Sequence, residues 1–172
     1  LAGISNISRI DAFKTEDGKK VPCDGQLWYR GYNVIDLIHG FEGKRFGFEE
    51  VAYLLLFGEL PDAAKLGAFK SMLEECRQLP TNFTRDVIMK APSKDIMNSL
   101  TRSVLTLASY DETIADQELH TQLEQCIKLI SVFPMLAVYG YHAYNHYICD
   151  DSLYIHRPQE GLSAAENLLL ML

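Results

Sequence analysis

The run Phe46 to Pro61, Phe-Gly-Phe-Glu-Glu-Val-Ala-Tyr-Leu-Leu-Leu-Phe-Gly-Glu-Leu-Pro, constrains the fold more than any other stretch, because it holds a helix start, an apolar body and a helix stop. Phe48, Val51, Ala52, Leu55 and Leu56 recur at steps of three and four residues, and Glu49 and Glu50 fall in the first turn, where carboxylates complement the helix dipole. Gly58 suits the left-handed C-terminal position, and Pro61 forbids continuation. Tyr53, Leu54 and Phe57 make the remaining faces apolar. The helix is therefore expected to be buried nearly all round, with the rest of the chain arranged to cover it.

Ahead of it, Ile4, Ile7 and Ile10 are spaced by polar residues, and Asp17-Gly18 and Asp24-Gly25 are turn signals, so short extended segments or a small hairpin are expected. Arg30, between Tyr29 and Tyr32, reads as a guanidinium stacked on aromatic rings at the first chain reversal. Asn33 can cap a short helix Val34 to His39, with Asp36 in its first turn and Gly40 as its stop. Beyond it the spacing predicts an amphipathic helix from Ala63 to Leu79, with Leu66, Phe69, Met72, Leu73 and Cys76 on one stripe. A shorter helix capped by Thr81 and ending near Lys90 follows, then one capped by Ser93 over 94–110 with Ile96, Met97, Leu100, Val104, Leu107 and Ala108 in register.

The longest predicted helix spans 117–147 and turns Leu123, Ile127, Ile130, Pro134, Ala137, Tyr141 and Tyr144 to one side. Pro134 should kink it, at a cost of about 3 kcal/mol that tertiary packing must offset. Ser163 and Glu166 form a capping box for a last helix that is still running at Leu172. Its exposed leucines would forgo roughly 1.5 to 3 kcal/mol each, so a fragment of a longer domain is expected. The fold class is all-α with a short extended or β-hairpin N-terminus. Residues 1–32 form the opening segment, and residues 33–172 a helical region truncated at its C-terminal end.

The net charge of −7 and the lack of any Lys/Arg run argue against nucleic acid and anionic membrane surfaces as partners. No apolar run approaches the roughly 20 residues that span a bilayer, and the start carries no basic region or cleavage pattern, so a cytoplasmic protein is expected. Cys23, Cys76, Cys126 and Cys149 are too far apart for a CxxC pair and read as reduced thiols. No phosphate loop, GxSxG elbow or HExxH signature occurs. His142 and His146, one turn apart and followed by Cys149, Asp150 and Asp151, are the nearest thing to a metal cluster. Half-buried packing groups with a polar tip are the expectation there, and no metal site is assigned.

Several of these runs together resemble the citrate synthases: Ala2 to Ser8, Trp28 to Val34, Phe48 to Pro61, the Met97 to Leu107 helix, Phe133-Pro134, and Leu162 to Asn167, in the family's order and spacing. The insert Ala12 to Gln26 is longer than the hairpin of many members. The resemblance places the chain in the N-terminal part of the family's large domain. It implies an acyltransferase that condenses acetyl-CoA with oxaloacetate to give citrate and CoA, without a tightly bound cofactor. Other implied readings are a 2-methylcitrate synthase, a citryl-CoA lyase relative, or a non-catalytic helical dimerisation module. The family's catalytic His and Asp motifs do not occur in these residues, and His39, His120, His142, His146 and His156 match none of them, so no catalytic residue is assigned and the chain alone is expected to be inactive. The cofactor-binding residues are unknown at this level. A homodimer through helices 94–110 and 117–147 is expected, with Ser99, Ser103 and Thr106 as a small-residue stripe and Ala137 and Gly140 allowing a close crossing beside Phe133 and Tyr144.

Overall fold

Asp17 and Gly18 take φ values of 48° and 75° in the computed structural model, which describes residues 5–172. Two successive positive φ angles make the two-residue turn whose twist matches a right-handed ribbon, and it joins β1 (Ser8–Glu16) to β2 (Lys19–Tyr29). Ile4 and the first part of the Ala2 to Ser8 match lie outside the described residues. Asp24-Gly25 forms no turn, contrary to expectation. Asp11 pairs with Gln26 and Phe13 with Pro22, so Cys23, Asp24 and Gly25 stand opposite Ala12 as a bulge.

A second tight turn, Arg30 and Gly31 at φ 48° and 90°, brings β3 (Tyr32–Asn33) back against β2 in a three-stranded antiparallel sheet of order β1-β2-β3. Arg30 does not stack between the tyrosines as expected. Its Nε and Nη2 donate to the Leu55 carbonyl at 3.2 and 2.8 Å, so the guanidinium ties the hairpin to a helical backbone. A charge-assisted pair of this kind contributes about 1.5–3 kcal/mol, more than one cation–π contact at a wet site.

The remaining elements are helical: α1 (Val34–Gly40), α2 (Gly47–Phe57), α3 (Ala63–Glu75), a π-helical turn (Thr84–Ile88), α4 (Ile96–Ala108), α5 (Leu119–Cys149) and α6 (Ala164–Met171). The fold is all-α apart from the small sheet. Asn33 caps α1 as expected, its side chain accepting from Ile35 N at 2.9 Å. Gly58 closes α2 at φ 85°. The chain divides into two compact units, residues 1–69 and 70–172.

Several helix bounds and faces differ from the sequence reading, each for a local reason. α2 is not buried all round: Leu54 is its one fully buried apolar residue, Phe48 and Phe57 are exposed, and the other buried residues are Glu49 and Glu50. α3 ends at Glu75 rather than Leu79, because Arg77 N bonds to Glu74 O and Gln78 N to Cys76 O, tightening the chain ahead of Pro80. Its buried side chains are Phe69 and Leu73, while Met72 is exposed. Thr81 caps nothing. Phe83 N closes a turn on Pro80 O with Asn82 at φ 62°, which leaves one π-helical turn after it. Ser93 accepts from Asp95 N, and it is Asp95, accepting from Asn98 N at 3.0 Å, that caps α4. Met97 of the expected stripe points outward.

The core of residues 70–172 gathers on α5, against which α4, α6 and the π turn all pack. Phe83, Leu100, Leu107, Val132, Leu136 and Met171 belong to one buried cluster. The buried face of α5 runs through Ile127, Ser131, Val132, Met135, Leu136, Val138, Tyr139, Gly140, His142 and Ala143. Of the seven residues expected on that face only Ile127 is fully buried. The helix carries Pro134 in its interior and continues on both sides of it. Burial of Val132 and Leu136, at roughly 1.5–3 kcal/mol each, is enough to offset the proline. By length and composition α5 could cross a membrane, contrary to the expectation that no run approaches that length, but 56% of its most apolar window is buried inside the fold, as in a core helix. Ser163 and Glu166 form the predicted capping box of α6, with Ser163 N donating to Glu166 Oε2 at 2.7 Å and Glu166 N to Ser163 Oγ at 3.2 Å.

Candidate functional site

The five histidines are dispersed in the structure. His142 is buried and its Nε2 lies 2.8 Å from the Met171 carbonyl, which fastens α6 to α5. His146 Nδ1 lies 2.8 Å from the Asp151 carbonyl, across the chain reversal where Asp150 takes φ 58°. A carbonyl only accepts, so His142 Nε2 and His146 Nδ1 carry their protons, and neither of those two nitrogens can ligate a metal. Cys149 and Asp150 are exposed, and Cys149 hydrogen-bonds Tyr144, which raises the tyrosine pKa. His39 pairs with Glu42 and His120 with Glu124 on exposed helix surfaces. Among the described residues no group of three or more His, Cys, Asp or Glu is placed to hold a metal ion.

The faces of α4 and α5 are distributed differently from the sequence reading. Ser99 and Ser103 are buried, Ser103 Oγ donates to Ser99 O at 2.8 Å, and a Cβ built on Gly140 would lie 3.8 Å from the Ser99 Cβ. The small residues therefore build the crossing of α4 on α5 within the chain. The outward faces are apolar instead: Met97 and Leu105, two turns apart on α4, are 69% and 68% exposed, and Leu129, Phe133 and Tyr141 are exposed along one side of α5. These residues recur at helical spacing on two adjacent packed helices, rather than as scattered single apolar residues.

Residues 70–172 hold a cleft of about 810 Å³. Its lining takes in Glu74 at the end of α3, Arg77 just beyond it, the turn from Pro80 to Arg85, the segment Arg157 to Glu160, and Met135 and Tyr139 of α5. Tyr139 Oη donates to the His156 carbonyl at 2.9 Å, and Glu74 Oε1 accepts from Gly161 N at 3.0 Å, so both sides of the segment carrying Arg157 are pinned. Burial raises the Tyr139 pKa, and the nearby Arg157 charge partly opposes that shift. Sequence reasoning missed this cleft. Arg77 and Arg157 are eighty positions apart, and neither sits in a local motif.

An all-α fold organised on one long proline-containing helix, with a hairpin lead-in, defines the class of scaffold; comparison with known proteins supplies the family. The sequence profile described as "Citrate synthase, C-terminal domain" matches residues 1–172. The chain belongs to the citrate synthase family. It is similar to the 2-methylcitrate synthase of Shewanella oneidensis, at 34% identity over 67% of this chain and 28% of that protein. The citrate synthase of Corynebacterium glutamicum is 30% identical over 86% of this chain and 32% of its own length. Among solved structures, the citrate synthase of Pyrobaculum aerophilum superposes with a TM-score of 0.74 at 26% identity, covering 99% of this chain and 40% of that one. The Thermoplasma acidophilum enzyme, solved as a ternary complex with carboxymethyl coenzyme A and oxaloacetate, shares the fold with a TM-score of 0.78 at 20% identity, over 98% of this chain and 39% of its own. The chain spans about a third of the length of the curated relatives it matches.

Proposed function

We propose that this chain is the helical scaffold portion of a citrate synthase type acyltransferase, which condenses the acetyl group of acetyl-CoA with oxaloacetate to give citrate and CoA. The observation that carries this reading is the family match over all 172 residues. The condensation needs a base for the methyl proton and hydrogen-bond donors at the developing enolate and at the keto acid. In this chain His142 and His146 meet backbone carbonyls, and His39 and His120 pair with carboxylates on exposed helices, which supports a reading in which these four are packing and surface groups. The catalytic groups are accordingly assigned to sequence outside these residues, and no tightly held cofactor is required. The Shewanella oneidensis relative supports a second reading, in which propionyl-CoA is the acyl donor and 2-methylcitrate the product.

The test is release of free CoA thiol, followed with a thiol reagent. The 172-residue chain is expected to release none from acetyl-CoA and oxaloacetate, whereas a polypeptide of the relatives' length containing it is expected to turn over. Faster turnover with propionyl-CoA would select the second reading. Measurable turnover by residues 1–172 alone would overturn the assignment of the catalytic groups.

The same protein is proposed to be a cytoplasmic homodimer that uses the outward faces of α4 and α5. Met97, Leu105, Phe133 and Tyr141 are the anchors in this reading; the buried Ser99, Ser103 and Gly140 are not. In a two-fold contact each substitution acts twice, so Phe133→Asp in the longer protein is expected to convert a sedimenting dimer into monomer. An unchanged dimer would remove these faces from the interface.

A further inference from the structure

We infer that the cleft between the end of α3 and the Arg157–Glu160 segment is a binding site for a small organic polyanion, one carrying phosphate or carboxylate oxygens on a compact apolar body. Three of the seven arginines in an otherwise acidic chain line this one cleft: Arg77, Arg85 and Arg157. They are not equivalent. Arg85 is committed, its Nε and Nη2 each 2.8 Å from a carboxylate oxygen of Asp86. Among the described residues Arg77 and Arg157 form no ion pair, so two guanidinium groups in the lining are not committed to a carboxylate.

Two carboxylates share the wall without forming an ion pair with either arginine: Glu74 accepts from the Gly161 N–H, and Glu160 is exposed, as Arg157 is. Guanidinium groups match carboxylate and phosphate in a two-pronged geometry, which selects oxyanions over halide or apolar ligands. The volume of about 810 Å³ lies within the range of sites that take ligands of metabolite size. The floor is fixed before any ligand arrives, because Phe83, Met135 and Tyr139 are all part of the buried core and the Tyr139 hydroxyl is already bonded to His156 O. Leu79 and Pro158 supply apolar wall, and the amides of Asn82 and Gln159 add donors. Gln159 N is held by the buried Asn167, which sets the path of the chain beside Arg157.

The test is calorimetric titration of the protein with two probes, inorganic pyrophosphate for the phosphate source and benzene-1,2,3-tricarboxylate for the carboxylate source. One saturable site per chain is expected for at least one probe, and the tighter of the two names the source. Arg77→Gln and Arg157→Gln are each expected to weaken binding by roughly tenfold or more, the effect of losing one charged hydrogen-bonding group. Asp86→Asn is expected to tighten it, because it releases the Arg85 fork into the same cleft. That gain separates a ligand site from a merely structural arginine cluster. Thermal melting of each variant shows that it is folded. The inference is overturned if neither probe saturates, or if folded Arg77→Gln and Arg157→Gln bind as the parent does.

Discussion

α2 and α5 both read as apolar around most of their circumference, and the structure treats them in opposite ways. On α2 only Leu54 among the apolar side chains is fully buried, and the first turn sinks the carboxylates Glu49 and Glu50, with Glu50 Oε2 3.5 Å from Lys44 Nζ. On α5 ten residues are buried, from Ile127 to Ala143. The difference lies in what converges on each helix. α5 is packed by α4, α6 and the π turn. Within residues 1–69, α2 has the Arg30 anchor on its backbone and an aromatic cluster at one edge, where the rings of Tyr53 and Phe57 stand 4.4 Å apart and both meet Phe69. Apolar composition permits burial; the number of elements packed on the helix decides how much of it occurs.

The strongest way to break this comparison is at the centre of α5. Leu136→Ala is expected to destabilise residues 70–172 by about 2–5 kcal/mol, because Leu136 is 1% exposed and its neighbours belong to one close-packed cluster. Chemical denaturation measures it, and a loss below about 1 kcal/mol would show that α5 is not the core helix described. The cap of α4 gives a middle-sized effect. Asp95→Ala should cost about 1 kcal/mol and Ser93→Ala clearly less, since it is the Asp95 carboxylate that accepts from Asn98 N. The reverse order would restore Ser93 as the cap.

Phe48→Ala on α2 probes the other side of the comparison. Phe48 is 51% exposed, so the expected loss is about half of a fully buried phenylalanine's, or about 1.5–2.5 kcal/mol at most. A loss as large as that of Leu136→Ala would mean that α2 is covered after all. The smallest effect is expected in the loop between α4 and α5. Hydrogen bonds from the Thr113 hydroxyl and backbone lower the Asp111 pKa, and the Glu118 N–H and the Thr121 hydroxyl do the same for Asp116. A depressed folded-state pKa means stability that is present above the ordinary value of 3.8 and is lost as pH falls through the lower folded value. Carboxyl carbon shifts in a pH titration should place both midpoints below 3.8. Midpoints at or above it would remove these bonds.

Much of the fold was legible where the signal is local. The Asp17-Gly18 turn, the Asn33 cap, the Gly58 stop and the Ser163–Glu166 box each depend on a few adjacent residues, and each is found where the residues predict it. The misread caps fail for a related reason. Ser93 and Asp95 can both accept a backbone N–H, and the choice between them turns on where the chain enters α4, which is not a property of either side chain. The metal reading of His142 and His146 was open in sequence because i and i+4 share a helix face; in the fold each ring meets a different carbonyl, those of Met171 and Asp151.

The amino-acid sequence by itself determined the helical class, the hairpin at its start, the family and most helix ends, because these follow from periodicity, turn chemistry and ordered motifs along the chain. The tertiary structure decided which face of α5 is core, that Ser99 and Gly140 meet inside the chain, that Arg30 holds a helix carbonyl, and that Arg77 and Arg157 share a cleft. Each of these depends on the meeting of segments far apart in sequence. An apolar helix such as α5 offers several faces of nearly equal hydrophobicity, and close packing against α4, α6 and the π turn selects one of them.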